Sequence, residues 1–177
     1  MVVGAAAARE RHSVIRRKLL STHAEPLSDD DYFDAAAAGY SYVDFEWFAA
    51  DRDGRIAVLT TGGVGPVPTS VFRNRTAYFA AAAFFERLGK CGTHRLHRHR
   101  LDDVDWSSWA DAADRGMFAY DCEVAGQPYW LVASPDRCLA LEEVPPTVRE
   151  YVSAICFDLT FGDDLFVDRE FPDTNQR

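Results

Sequence analysis

The sequence predicts a single α+β domain with a largely antiparallel sheet built from hairpins and packed against helices. Three observations lead to this prediction. The length of 177 residues suits one domain. Two pairs of β-type runs are each joined by a short turn signal, and amphipathic stretches lie between and after them. We assign residues 1–27 to a poorly constrained N-terminal leader and residues 28–177 to the domain.

Two hairpins form the predicted sheet. The first joins Phe45–Ala50 to Arg55–Thr60 through the polar tetrapeptide Asp51–Gly54. A tetrapeptide that ends in glycine favours a chain reversal, because glycine supplies the positive φ that the turn requires. The second hairpin joins Met117–Val124 to Tyr129–Ala133 across a turn that contains glycine and proline.

Capping signals mark the first two predicted helices. Ser28 precedes Asp31 by three positions, a variant of the capping box, so we expect a short helix within Leu27–Tyr40. Asn74 caps a second helix that extends to about Leu88. Gly89 is expected to stop that helix.

The second half of the chain predicts two more helices and one more strand. Trp106–Arg115 forms a short helix that Gly116 ends, and Cys138–Leu141 adds a strand. Pro145 and Pro146 then open a helix, and its apolar positions follow a spacing of three and four residues: Val148, Tyr151, Val152 and Ile155.

The predicted core collects large apolar side chains from both hairpins and from the second helix. Burying each of them stabilises the fold by roughly 1.5–3 kcal/mol relative to leaving it exposed. The set is Trp47, Phe48, Val58, Phe79, Phe84, Tyr120, Trp130 and Leu131.

Charge is distributed unevenly along the chain. Residues 101–177 carry 17 acidic side chains against 5 arginines and no lysine, a formal charge of −12. The first hundred residues have a formal charge of +3, which gives the whole chain −9. An acidic surface of this kind suits a cationic partner, and it argues against binding to nucleic acid or to an anionic membrane.

Cysteine usage and hydropathy indicate a cytoplasmic protein. The four cysteines show no CxxC spacing, so we expect reduced thiols and no disulfide framework. No stretch approaches the roughly 20 apolar residues that span a bilayer. The N-terminal charges follow a short apolar run, which is the reverse of a secretory signal.

The C-terminal acidic segment, Asp158–Asp173, is the candidate binding site. Carboxylates alternate there with phenylalanines, and aromatic anchors within an acidic rim are typical of a protein–protein interface. The alternative is that the phenylalanines belong to the core and the acids solvate a terminal strand. The candidate partner-binding residues are Asp158, Phe161, Asp163, Asp164, Phe166, Asp168 and Glu170.

Metal or phosphate sites receive little support from the sequence. Cys91 and His94 could ligate zinc together with His97 or His99, but neighbouring arginines would repel a dication. We therefore expect a basic, solvated connector and no metal or cofactor. The glycines of Thr61–Pro68 occur without a P-loop or dinucleotide-binding pattern, so this stretch is interpreted as a connecting loop.

Other candidate catalytic groups have simpler interpretations. The adjacent acids Asp163–Asp164 and Glu142–Glu143 could perform acid–base chemistry or hold magnesium, yet such pairs are usually plain surface charge. Trp106 and Trp109 have helical spacing and suit a core better than a ligand cage. The chain has no GxSxG motif. We expect no catalytic residues. An enzyme with dispersed site residues around Gly62–Pro68 and a small-ligand or regulatory module remain as alternatives.

Two segments, Phe45–Pro68 and Arg115–Pro146, resemble small bacterial proteins that act as immunity partners of secreted antibacterial toxins. The resemblance implies a non-catalytic cytoplasmic domain that binds and blocks a cognate toxin. A nuclease toxin has a basic cleft for its substrate, and an inhibitor can occupy that cleft with carboxylates that mimic phosphates. Complementary charge of this kind speeds association and adds specificity.

Overall fold

The computed structural model describes residues 27–40, 43–97, 105–164 and 166–167. The predicted leader, residues 1–27, therefore lies outside the described residues except for Leu27. Among the described residues, no helix combines the length and apolar character needed to cross a bilayer.

The architecture is α+β, as predicted. Helices α1 to α4 span Asp29–Ala37, Arg75–Arg87, Ser107–Asp114 and Pro146–Ser153. Strands β1 to β7 span Glu46–Asp51, Ile56–Thr60, His94–Leu96, Phe118–Asp121, Tyr129–Pro135, Cys156–Phe157 and Phe166–Val167. The strands form one sheet in the order β3-β5-β4-β2-β1-β6, and β7 pairs with β5.

The sheet is mixed but mostly antiparallel. The pairs β1–β2, β4–β5, β3–β5 and β5–β7 are antiparallel. The pairs β2–β4 and β1–β6 are parallel. A parallel pair needs a long crossover, and the chain between β2 and β4 supplies it through α2, β3 and α3.

Both predicted hairpins are confirmed. In the first, Phe48 pairs with Val58, and Gly54 completes the turn with a φ of 77°. In the second, Tyr120 pairs with Leu131, and the register shifts between Ala119 and Tyr120. The first pair of runs forms a hairpin because its turn is short and its strands bury apolar side chains on both faces.

The four predicted helices are confirmed, with caps where the sequence places them. Ser28 Oγ accepts a hydrogen bond from Asp31 N at 3.2 Å, and Ser28 N donates to Asp31 Oδ2 at 3.2 Å. Asn74 Oδ1 accepts from Ala77 N at 3.0 Å. Each bond satisfies an N–H that has no partner within the helix.

Two local predictions are wrong. Cys138–Leu141 is not a strand: Ala140 forms only an isolated bridge with Arg55, and a 3₁₀ turn follows at Leu141–Glu143. The Glu143 carboxylate draws the chain into that turn by accepting a hydrogen bond from Ala140 N at 2.8 Å. Gly89 is not a left-handed helix stop, because the chain already becomes extended at Leu88.

The predicted core is confirmed in five of its six strand residues, and it is corrected for Trp130 on β5 and for two residues of α2. Each of five side chains is 5% exposed or less: Trp47, Phe48, Val58, Tyr120 and Leu131. Phe79, Phe84 and Trp130 are only partly buried. On α2 the inward face belongs to Tyr78, Ala81 and Phe85 instead, so the neighbouring aromatics lie at its margins.

The sheet buries both of its faces. On one face α2 packs against the strands, with the rings of Phe48 and Phe85 4.6 Å apart. On the other face the chain after β6 covers the sheet. There the Phe161 ring lies 5.5 Å from that of Tyr120, and Trp47 packs edge-on against Tyr129 at 5.8 Å. The C-terminal acidic segment thus begins as part of the second core layer.

Candidate partner-binding surface

In the described part of the C-terminal acidic segment, the carboxylates and one phenylalanine are exposed, whereas the other phenylalanine is buried. Asp158, Asp163 and Asp164 are exposed. Phe166 is 50% exposed, whereas Phe161 is fully buried. Phe161 is therefore a core residue, and the prediction that it serves as an interface anchor is wrong.

A buried carboxylate holds the segment in place. Asp51, only 1% exposed, ends β1 beneath the tip of the first hairpin. Its Oδ1 accepts hydrogen bonds from Asp53 N at 2.9 Å and Arg55 N at 2.8 Å, and its Oδ2 accepts from Phe161 N at 2.8 Å. One side chain therefore joins the hairpin turn to the C-terminal acidic segment.

The next turn of the segment is fixed by Tyr120. Its hydroxyl donates to Asp164 O at 2.8 Å and accepts from Gly162 N at 3.1 Å. Gly162 has a φ of 91°, and an added Cβ would lie 2.4 Å from the Phe118 ring, so only glycine fits. Asp163 and Asp164 are thus presented on an ordered backbone, which lowers the entropy lost when a partner binds.

The individual carboxylates differ in whether they already bind other groups of this protein. Asp164 Oδ2 accepts a hydrogen bond from Thr160 N at 3.2 Å, so this side chain also stabilises its own turn. Asp158 lies 3.6 Å from Arg52 in an exposed ion pair, which contributes little to stability. The remaining two predicted residues, Asp168 and Glu170, lie outside the described residues.

Phe166 lies beside a second aromatic ring. It pairs with Trp130 across β5 and β7, and the two ring centroids are 5.9 Å apart. A partly exposed aromatic pair at a sheet margin has the character of an interface anchor. Trp130 was predicted as core, and its partial exposure is what gives Phe166 a neighbour at the surface.

A second acidic group was missed by the sequence analysis. Asp121 ends β4 and is 6% exposed, and among the described residues its Oδ1 has no hydrogen-bond partner. Burial raises the pKa of Asp121 to about 7, and the charges of Asp44 and Glu123 add to the effect. The sequence contains a signal for this buried acid, because Asp121 directly follows Phe118–Tyr120 within an apolar run that predicts a strand.

A cleft lies between α2 and α3 on the helical face of the sheet. Its volume is about 490 Å³, its floor includes Phe48 and Val58, and Glu46 lies at its wall. Glu46 is exposed to solvent in the cleft, yet the protein around it partly desolvates the carboxyl and raises its pKa, as does the nearby Asp44. Trp109 Nε1 donates to Thr60 Oγ1 at 3.2 Å and closes one side. This tryptophan therefore packs against the sheet, as its helical spacing predicted.

The glycine loop makes its own internal bonds. Thr61 Oγ1 accepts from Gly63 N at 3.2 Å, and Thr61 O accepts from Val64 N at 2.9 Å and Gly65 N at 2.7 Å. Three successive N–H groups are thus engaged within the loop, whereas a phosphate-binding loop directs such groups at its ligand. The loop lines a smaller groove of about 320 Å³ beside α1.

The candidate zinc ligands are placed apart in separate interactions. His94 Nδ1 lies 2.7 Å from Asp114 Oδ1, and His97 Nε2 lies 2.9 Å from Ser134 Oγ. Cys91 is exposed, and His99 lies outside the described residues. Within the part of the chain that the structure describes, no three His, Cys, Asp or Glu side chains are grouped as metal ligands.

Comparisons with protein family models, with curated proteins and with solved structures find no match to this chain. The functional assignment therefore depends on the charge, exposure and anchoring of the surfaces described above.

Proposed function

We propose that this chain is a non-catalytic binding protein for a basic protein partner, and that a cognate antibacterial toxin is the partner it fits best. The observation that carries the proposal is the pairing of exposed carboxylates with an exposed aromatic side chain on an anchored backbone. Asp158 and Asp163 supply charge, Phe166 supplies apolar contact, and Asp51 holds the segment. Charge near an aromatic anchor favours both fast association and a defined docking position.

Net charge supports the same proposal. The chain carries −9 overall, and residues 101–177 carry −12. A toxin that cleaves nucleic acid needs a basic cleft, and carboxylates can occupy that cleft in place of phosphates. Because exposed charges act over roughly 10 Å at moderate salt, such attraction steers encounter before contact is made.

The test is charge reversal within the C-terminal acidic segment. The double variant Asp158→Lys/Asp163→Lys avoids Asp164, whose side chain caps a turn. The probe is the product of the gene directly upstream, purified and mixed with this protein in a stopped-flow experiment. We expect the double variant to associate about tenfold more slowly at low salt, with the difference shrinking as salt rises.

The matched control is Glu86→Lys/Glu150→Lys, which changes the net charge equally at exposed positions of α2 and α4. We expect this variant to associate within about twofold of the wild-type rate, because the reversed charges lie on the helical face. Equal slowing by both variants would show that only net charge matters. Failure of the wild-type protein to bind the upstream product or to restore growth of a bacterium expressing it would refute the toxin assignment.

A small-ligand module is the second candidate, and the cleft between α2 and α3 favours it. An apolar floor lined by the carboxylates of Glu46, Glu86 and Asp111 suits a small amine with an apolar body. Titration of such amines while following Trp109 fluorescence would test this. A saturable change that Glu46→Gln abolishes would favour the module over the inhibitor.

A further inference from the structure

Two exposed cysteines, 47 positions apart in the sequence, lie just beyond the same end of the β3–β5 ladder. His94 pairs with Pro135 in this antiparallel ladder, and Leu96 pairs with Ala133. Cys91 lies three residues before His94, and Cys138 lies three residues after Pro135. Extending this register past its last pair, His94 with Pro135, would set Cys91 opposite Cys138.

The two chain segments stay together beyond the strands. Asp136 N donates to Thr93 O at 3.0 Å, and Thr93 N donates to Asp136 Oδ1 at 2.8 Å. A Cβ added to Gly92 would lie 3.5 Å from Arg137 Cβ. Paired contacts thus persist up to the residues next to both cysteines.

The turn that follows α3 forms hydrogen bonds with the chain at both cysteines. Cys91 N donates to Asp114 O at 2.8 Å, and Leu139 N, next to Cys138, donates to Gly116 O at 2.8 Å. Gly116 is left-handed, with a φ of 92°, and a Cβ there would lie 2.8 Å from Leu139 N. The turn after α3 therefore fixes both chain segments against one another.

The thiols are chemically accessible and free. Cys91 and Cys138 are exposed, and neither forms a disulfide. Burial is the main cause that raises the pKa of the Cys138 thiol, and the charge of Cys91 raises it further, as expected for thiols that lie close together. Residues opposite each other in an antiparallel pair have Cα atoms about 4.5–5.5 Å apart, within the range of about 4.4–6.8 Å that a disulfide spans.

We infer that Cys91 and Cys138 are a redox-active pair that closes to a disulfide by exchange with a small-molecule disulfide such as oxidised glutathione. One thiolate attacks the glutathione disulfide and releases one glutathione thiolate. The second cysteine thiolate attacks the mixed disulfide, forms the protein S–S bond and releases the other glutathione. Both protein thiols lose their protons to solvent, the protein is oxidised by two electrons, and the glutathione disulfide is reduced.

Native full-length protein is incubated with oxidised glutathione, and free thiols are then blocked and peptides mapped without reductant. We expect a cross-linked peptide pair containing Cys91 and Cys138, a monomeric product on a non-reducing gel, and reversal by dithiothreitol. Cross-linking closes a loop of about 48 residues, so we expect the Tm to rise by about 5 °C or more relative to the reduced protein.

Cys91→Ser and Cys138→Ser each remove one partner, and each is expected to leave a stable glutathione adduct on the remaining thiol. Cys156→Ser is the matched control, because this exposed cysteine lies on β6 at the far edge of the sheet, and it should close the bond normally. Separate glutathione adducts on both cysteines of the wild type, or bonds to other cysteines or between molecules, would overturn the inference.

Discussion

Replacing Asp121 by asparagine should stabilise the protein at alkaline pH. Asp121 is 6% exposed, its Oδ1 has no hydrogen-bond partner among the described residues, and burial raises its pKa from 3.8 to about 7. The folded protein therefore favours the neutral carboxylic acid, whereas the unfolded chain ionises near pH 4. Asparagine keeps the shape of the neutral acid and carries no charge at any pH.

The sign and size of the effect follow from proton linkage. Because the pKa of Asp121 is higher in the folded state, its contribution to stability is fully present below pH 3.8 and is lost as pH rises through about 7. The full difference between the two pKa values corresponds to roughly 4 kcal/mol, an upper bound for this group. We expect Asp121→Asn to raise the free energy of unfolding by about 2–4 kcal/mol at pH 8 and to change it little at pH 4.

Urea denaturation of wild type and variant, followed by tryptophan fluorescence between pH 4 and 9, measures this difference. Asp163→Asn is the control, since Asp163 is exposed and should show no comparable gain at pH 8. A variant that is less stable than wild type at pH 8 would refute the reasoning, because it would mean that the ionised carboxylate is stabilised by its surroundings.

Two further predictions concern a glycine and metal independence. Gly162→Ala should lower the free energy of unfolding by about 2–4 kcal/mol, since the new Cβ would meet the Phe118 ring at a positive φ. Gly89→Ala, in open space, is its control and should change stability by less than about 0.5 kcal/mol, as measured by the same denaturation. Treatment with a chelator should shift the Tm by less than about 5 °C, and a larger fall would restore the zinc interpretation of Cys91 and His94.

Local signals in the sequence predicted local structure well. The Asp51–Gly54 turn and the caps at Ser28 and Asn74 depend on residues within four positions of each other, and all are present. The sheet order depends on distant residues. No local pattern distinguishes the parallel β2–β4 pairing from an antiparallel one, because both bury the same apolar strands.

In the candidate site, the alternation of acids and phenylalanines does not predict which phenylalanine is exposed. Phe161 and Phe166 occur in similar acidic surroundings, yet the first is fully buried and the second is 50% exposed. The difference arises from Tyr120 and Asp51, which bind the backbone of the segment from distant positions in the sequence. Exposure of Trp130 also depends on its position at the sheet margin, which its own residue type does not reveal.

The bond between Asp51 and Phe161 N has a consequence for the order of synthesis. The hairpin that carries Asp51 leaves the ribosome long before Phe161, and until then its carboxylate lacks the third donor. Phe161 and Val167, both fully buried, also complete the apolar layer, Phe161 beside the Tyr120 ring and Val167 paired with Tyr129. The nascent chain therefore keeps an apolar sheet face open until residue 167 emerges, and chaperone contact should concentrate in that interval.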